Sequence, residues 1–207
     1  MPEIDPSEEI SRLLDLMPAS ARMATKLVSK SQQIVPIEEP VALPWKRNYQ
    51  ILINFDLWSE IPLPQRDLLL LRAVAKFEGT KWFRLEWPQG VVAAGAFGTI
   101  FELSQGDAIG ILVAGGLSAL AANRIWRAQR GVKAELRADE EALRLASRRG
   151  YSKVEAAKAL LDGIATVAKL EGRSSLNFME LVRSQNLKAI AGVSPVGMPQ
   201  RYRDSDE

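Results

Sequence analysis

The chain has 207 residues, 47% of them apolar and 25% charged, enough for one compact domain with a sizeable core and too apolar for a disordered chain. It contains no histidine and no cysteine, which excludes histidine-based triads, thiolate redox sites and disulfides and removes the commonest ligands of zinc, copper and haem. Lysine and arginine exceed aspartate and glutamate by 27 − 25 = 2, a near-neutral balance that argues against a nucleic-acid partner, for which a basic stripe is expected.

Residues 1–16 form an acidic segment, with Glu3, Asp5, Glu8, Glu9 and Asp15 against a single Arg12, the reverse of a secretory or transit peptide. A single domain over 17–195 follows. From Met17 a short helix or turn precedes a strand over 24–29. Residues 32–45 carry Pro36, Pro40 and Pro44 and cannot stay helical. The alternation of 48–55 (NYQILINF) predicts a strand with Ile51, Ile53 and Phe55 on one face. Beyond Pro62 and Pro64, residues 65–77 (QRDLLLLRAVAKF) read as a helix that is apolar around most of its circumference and therefore central.

Residues 87–126 change character. Two apolar legs, 90–103 and 108–122, are joined by a polar tip holding Glu102 and Asp107. Each leg would be roughly 20–25 Å long as a helix, a little short of a hydrocarbon core of about 30 Å. Trp87 and Trp126 flank the outer ends; Lys81 and Arg84 precede the first leg, and Arg124, Arg127 and Arg130 follow the second. Positive charge and aromatic rings at one end, with acid at the other, fit a hairpin entering a membrane from the cytoplasmic side, with Trp87, Arg124, Trp126 and Arg127 at the interface and lipid as a partner. Ala94 with Gly98 and Gly110 with Ala114 let the legs approach closely. A pair of Ala/Gly-rich core helices in a soluble, cytoplasmic protein fits the same composition.

The remainder reads as helical: 134–149, ending at Gly150; 151–170, with Ser152 and Glu155 spaced as a capping box; and 177–190, closed by Gly192 and Pro195. Residues 196–207 read as a flexible tail. The fold class expected is mainly α with a small β element, α+β.

The order of a strand, a central helix, an apolar hairpin and ELRADEEALRLASRRGYSKVEAAKALL resembles the membrane-associated zinc peptidases of the gluzincin type, the HtpX and CaaX-prenyl-protease kind. That resemblance implies a helix bearing H-E-x-x-H and a later helix bearing E-x-x-x-D, which matches Glu135 and Asp139. In the matching register Arg72-Ala73-Val74-Ala75-Lys76 stands where H-E-x-x-H would be, so both imidazole ligands and the general base are missing. What the resemblance implies is a degenerate gluzincin-like fold with an inserted hairpin and a relict site of Arg72, Lys76, Glu135 and Asp139. No metal or cofactor is expected in it. Residues four apart share a helix face, so Arg72 and Lys76 could meet Glu135 and Asp139 as replacements for the ion. Alternatively, Glu135 and Asp139 merely belong to the solvated face of an amphipathic helix.

Over nearly the whole chain, phrases such as LMPASARMATKLVSK, INFDLW, QGDAIGILVAGGL and SLNFMELVRSQNLKAIAGVSPVG resemble an uncharacterised cyanobacterial family of unknown function. This implies a photosynthetic bacterial source and a thylakoid or plasma membrane location. Two functions are compatible with these residues. One is a non-catalytic, membrane-associated pseudopeptidase that holds a protein partner as an assembly factor or regulator of proteolysis. The other is a hydrolase with an unorthodox site, using Glu135 and Asp139 as acid and base or as oxygen ligands of a metal.

Overall fold

Proline placement and capping residues divide the chain into its elements. The computed structural model describes residues 4–39, 48–81 and 131–193. The chain divides into two units, residues 1–81 with 135–207 and residues 82–134, and the elements below belong chiefly to the first. The acidic start is a helix, α1 (Pro6–Leu16): the Asp5 carboxylate accepts from the Ser7 N–H at 2.8 Å, Pro6 opens the first turn, and Glu8 and Glu9 lie at its positive end. Leu13 on this helix is completely buried. A single turn, α2 (Ala19–Arg22), leads to the sheet.

Three strands, β1 (Thr25–Ser29), β2 (Ile37–Glu38) and β3 (Tyr49–Ile53), are ordered β1-β3-β2. β3 is the middle strand. β1 runs parallel to it with Leu27 opposite Ile51, and β2 runs antiparallel with Ile37 opposite Ile53. Tyr49, Ile51 and Ile53 alternate inward, as the period of two requires. The strand ends sooner than the alternation predicts, because the Asn54 side chain accepts from the Asp56 N–H and opens a short helix, α3 (Phe55–Ser59). Phe55 is still buried, now from the helix. The Asn54 amide also donates to the carbonyls of Ser31 and Gln33, tying the loop after β1 to the end of β3.

Helix α4 (Leu63–Lys81) follows Pro62 and accommodates Pro64 in its first turn, where no N–H is needed. Leu68, Leu69, Leu70, Leu71, Ala73, Val74 and Ala75 are all buried, so the helix is enclosed on every side, as four consecutive leucines predict. The remaining helices among the described residues are α5 (Val132–Ser147), α6 (Lys153–Leu170) and α7 (Phe178–Ile190). Gly150 takes a φ of +91° between α5 and α6, a backbone region costly for residues with a Cβ. Ser152 with Glu155 forms the expected capping box, and Asn177 with Glu180 forms a second at the start of α7. Helix α6 packs on α4 through Gly163, where an added Cβ would stand 3.4 Å from Leu69 Cγ. Helix α7 packs on α6, and α1 packs on α4.

The described part is mainly helical with one small three-stranded sheet, an α+β fold. Residues 87–126, read from sequence as an apolar hairpin, lie outside the described residues, as do Trp87, Arg124, Trp126, Arg127 and the tail 196–207. Among the described residues no helix is long and apolar enough to cross a membrane.

Candidate functional site

Past its leucines, α4 carries Arg72 and Lys76 one turn apart on a common face. Arg72 is only 5% exposed, and a buried guanidinium has to find acceptors for its fork of donors. It finds three carboxylates from three places in the chain. Its Nε donates to Asp139 Oδ1 at 2.9 Å, its Nη1 to Glu39 and its Nη2 to Glu135. Glu39 follows β2; Glu135 and Asp139 lie one turn apart on α5. Lys76 Nζ adds a second cation, 2.8 Å from Glu39 Oε2 and 2.8 Å from Glu135 Oε1.

Behind them stands Arg183 of α7. Its Nε donates to both oxygens of Asp139, at 2.8 and 3.1 Å, and its Nη2 donates to Oδ1 at 2.9 Å. Asp139 has no exposed surface at all and sits between two guanidinium groups. Three cations thus face three anions, and every oxygen of the three carboxylates is engaged. Burial works against the charge of Glu135, but Arg72 and Lys76 outweigh it and hold its carboxyl below the ordinary value. Burial lowers Lys76 despite its hydrogen bond to Glu135; burial and the nearby Arg183 lower Arg72.

The cluster opens on a cleft of about 250 Å³. Arg72, Glu39, Glu135 and Arg183 line its charged side; Ile37, Leu69, Ile164, Val167 and Met179 supply an apolar wall. This donor set does not suit zinc, because the two positions on α4 are cations and the carboxylates are already saturated by nitrogen donors. Among the described residues no group of three or more aspartates and glutamates is arranged to hold a metal ion. Glu135 is also badly placed as a general acid or base, which works best with its pKa near the operating pH, while its carboxyl is held below the ordinary value.

All four residues singled out from sequence, Arg72, Lys76, Glu135 and Asp139, meet in this cluster. The alternative that Glu135 and Asp139 lie on a solvated face does not describe them: Asp139 is fully buried and Glu135 nearly so. Two members were missed. Arg183 had a signal, because it sits four residues before the buried Leu187 and so on the inward side of α7. Glu39 had none, lying in an irregular proline-bearing stretch whose partner depends on the tertiary fold.

A second buried network lies about one and a half turns earlier on α4. Glu9 of α1 accepts from Arg12 Nε at 2.8 Å and Nη2 at 2.9 Å, Arg66 Nη1 at 3.0 Å and Trp58 Nε1 at 3.0 Å. Burial raises the pKa of Glu9, but these donors outweigh it and hold the carboxyl below its ordinary value. Arg12 also reaches Asp67 at 2.6 Å, and Asp67 accepts from the Tyr151 hydroxyl at 2.7 Å. This network joins α1 to α4 and to the start of α6.

Over 162 residues the chain is 27% identical to a thylakoid membrane protein of Synechocystis sp. (strain ATCC 27184 / PCC 6803 / Kazusa), covering 77% of this chain and 76% of the relative. No solved structure matches. Residues 11–151, from Arg12 and its partner Asp67 through the Arg72 cluster on α4 and α5 to Tyr151, match the family described as protein of unknown function (DUF3318), and the chain belongs to that family.

Proposed function

We propose that this chain is a non-catalytic, membrane-associated interaction protein, a pseudopeptidase that acts as an assembly factor or regulator of proteolysis at a photosynthetic membrane. The observation that carries the reading is the Arg72 cluster. On the helix where a gluzincin-type peptidase would bear its two histidines, Arg72 and Lys76 stand one turn apart and pair with the E-x-x-x-D carboxylates of α5. Cations therefore take the part that a metal ion plays in a peptidase, and with the metal go the activated water and the hydrolysis. A cluster so neutralised has no free base, nucleophile or Lewis acid among its own residues, but its cleft is retained. Use of Glu135 and Asp139 as catalytic carboxylates draws no support from their saturated partners.

Membrane attachment rests on residues 87–126, with Trp87, Arg124, Trp126 and Arg127 at the lipid interface and the helical unit on the cytoplasmic side. The thylakoid location of the Synechocystis relative supports it. The test is fractionation of cells expressing the full chain, followed by alkaline carbonate extraction and affinity purification from the membranes. Retention in the membrane pellet and recovery of a stoichiometric protein partner are expected. Release of the chain into the soluble phase, or a preparation that hydrolyses peptides by itself, overturns the proposal.

A further inference from the structure

The Arg72 cluster is balanced only because Glu39 takes part in it. Arg72, Lys76 and Arg183 carry three positive charges; the α5 carboxylates, Glu135 and Asp139, carry two negative ones. Without Glu39 these five side chains would hold one uncompensated positive charge beside the cleft, and the donors that Arg72 Nη1 and Lys76 Nζ now give to Glu39 would be released. Glu135 and Asp139 are built into a four-turn helix, but Glu39 follows a strand of only two residues. Arg183, 7% exposed, uses Nε and Nη2 on Asp139, which leaves its Nη1 without a hydrogen bond among the described residues.

We infer that the cleft is a binding site for the free carboxylate of an apolar C-terminal residue of a partner polypeptide, and that Glu39 occupies the carboxylate position in its absence. A C-terminal residue carries its carboxylate and its side chain on one Cα. It therefore presents a charge and an apolar group within the span of a single residue. The cleft offers the matching pair, Arg72 and Arg183 beside Ile37, Leu69, Ile164, Val167 and Met179, in a volume of about 250 Å³; its other lining carboxylate besides Glu39 and Glu135, Glu180, has both oxygens taken by Arg173. An internal aspartate or glutamate brings its charge at the tip of its own side chain and leaves the apolar wall unfilled. A buried carboxylate bound by a guanidinium and an ammonium is among the stronger polar contacts available to a protein. Glu39, as an intramolecular competitor, sets the threshold a partner has to exceed. This inference rests on the reading of the chain as an interaction protein and specifies what its cleft holds.

The test uses the full-length protein, wild type and Glu39→Gln, titrated with acetyl-Ala-Ala-Leu as the free acid, with the same peptide as its C-terminal amide, and with octanoate. Removing a competitor held at millimolar effective concentration should tighten binding of the free acid by about tenfold or more in Glu39→Gln, with the amide weak in both proteins. Should Glu39→Gln be unstable, the free acid is expected to raise its unfolding temperature and the amide is not. Wild-type protein gives an independent measurement, in which the free acid at millimolar concentration shifts the side-chain N–H resonances of Arg72 and Arg183. Equal binding of acid and amide, or no response to the acid in either protein, overturns the inference. Binding of octanoate as tight as that of the peptide overturns the polypeptide source. If the acid does not bind but a partner still co-purifies with the wild-type chain, the interaction reading stands and the carboxylate site falls.

Discussion

Helix α4 carries two buried ionic networks of opposite polarity, about one and a half turns apart. At Arg66 and Asp67 the centre is an anion: Glu9 is surrounded by Arg12, Arg66 and the Trp58 indole N–H. At Arg72 and Lys76 the centre is a cation, surrounded by Glu39, Glu135 and Asp139. The first fastens the terminal helix to the core and is closed over by it. The second lines a cleft and borrows one of its anions from the segment after a two-residue strand. Buried ion pairs are poor sources of net stability but costly to break, so a chain that retains two of them uses them to fix which elements meet. The cation-centred network lines a cleft, and its charge is balanced there only while Glu39 takes part.

The difference can be broken most severely at Asp139. Asp139→Ala leaves Arg72 and Arg183 buried without their shared anion and should cost about 3–5 kcal/mol in denaturant unfolding. A loss below about 1 kcal/mol would mean that solvent reaches both guanidinium groups. In the other network, Glu9→Gln keeps the shape but removes the charge, and Arg12 is one-third exposed, so a smaller cost of about 2 kcal/mol is expected, read the same way. A double-mutant cycle between Arg72 and Glu135, using Arg72→Met and Glu135→Lys, should show a coupling of about 1–3 kcal/mol; if Glu135→Lys leaves stability unchanged while Arg72 is intact, the two are not coupled.

The networks also predict a pH response on each side of neutrality. Glu9 and Glu135 have folded values depressed below 4.5. Their contribution is therefore fully present above about pH 4.5 and is lost as pH falls through the lower folded values. Unfolding temperature should drop across that acid window, and less steeply in Glu9→Gln and Glu135→Gln. Tyr151 behaves oppositely: burial and its hydrogen bond to Asp67 push its hydroxyl up to about 12. That contribution is present below pH 10 and disappears as pH rises toward 12. Tyr151→Phe, the mildest change, should cost about 1 kcal/mol at neutral pH and flatten the alkaline limb of the stability profile.

Much of this was legible in residues 24–77 and 134–190 because local rules govern them. Alternation in NYQILINF set the inward face of β3, four leucines set a central α4, and the Ser152–Glu155 spacing fixed the start of α6. Four of the six cluster residues were brought together by what the gluzincin resemblance implies, with i,i+4 spacing placing each pair on one helix face. Glu39 and Arg183 lie outside the motifs that the resemblance supplies: Glu39 sits in an irregular stretch, and Arg183 shows only that it shares the inward side of its helix with Leu187. The acidic start escaped for a related reason. Its composition marked it only as an acidic segment, yet Glu9 is buried because Arg66 and Trp58 come to it from elsewhere. For residues 87–126 the leg length tells against a membrane hairpin, and the basic and aromatic flanks tell for it.

The absence of histidine and the occupation of the α4 face by Arg72 and Lys76 meet in one measurement, elemental analysis of the full-length protein purified without chelators. If the guanidinium and ammonium stand where a peptidase keeps its metal, zinc will be far below one per chain, and Glu135→Gln will not change it. One zinc per chain, lost on Glu135→Gln, would contradict the cation-for-metal replacement on which the pseudopeptidase reading depends.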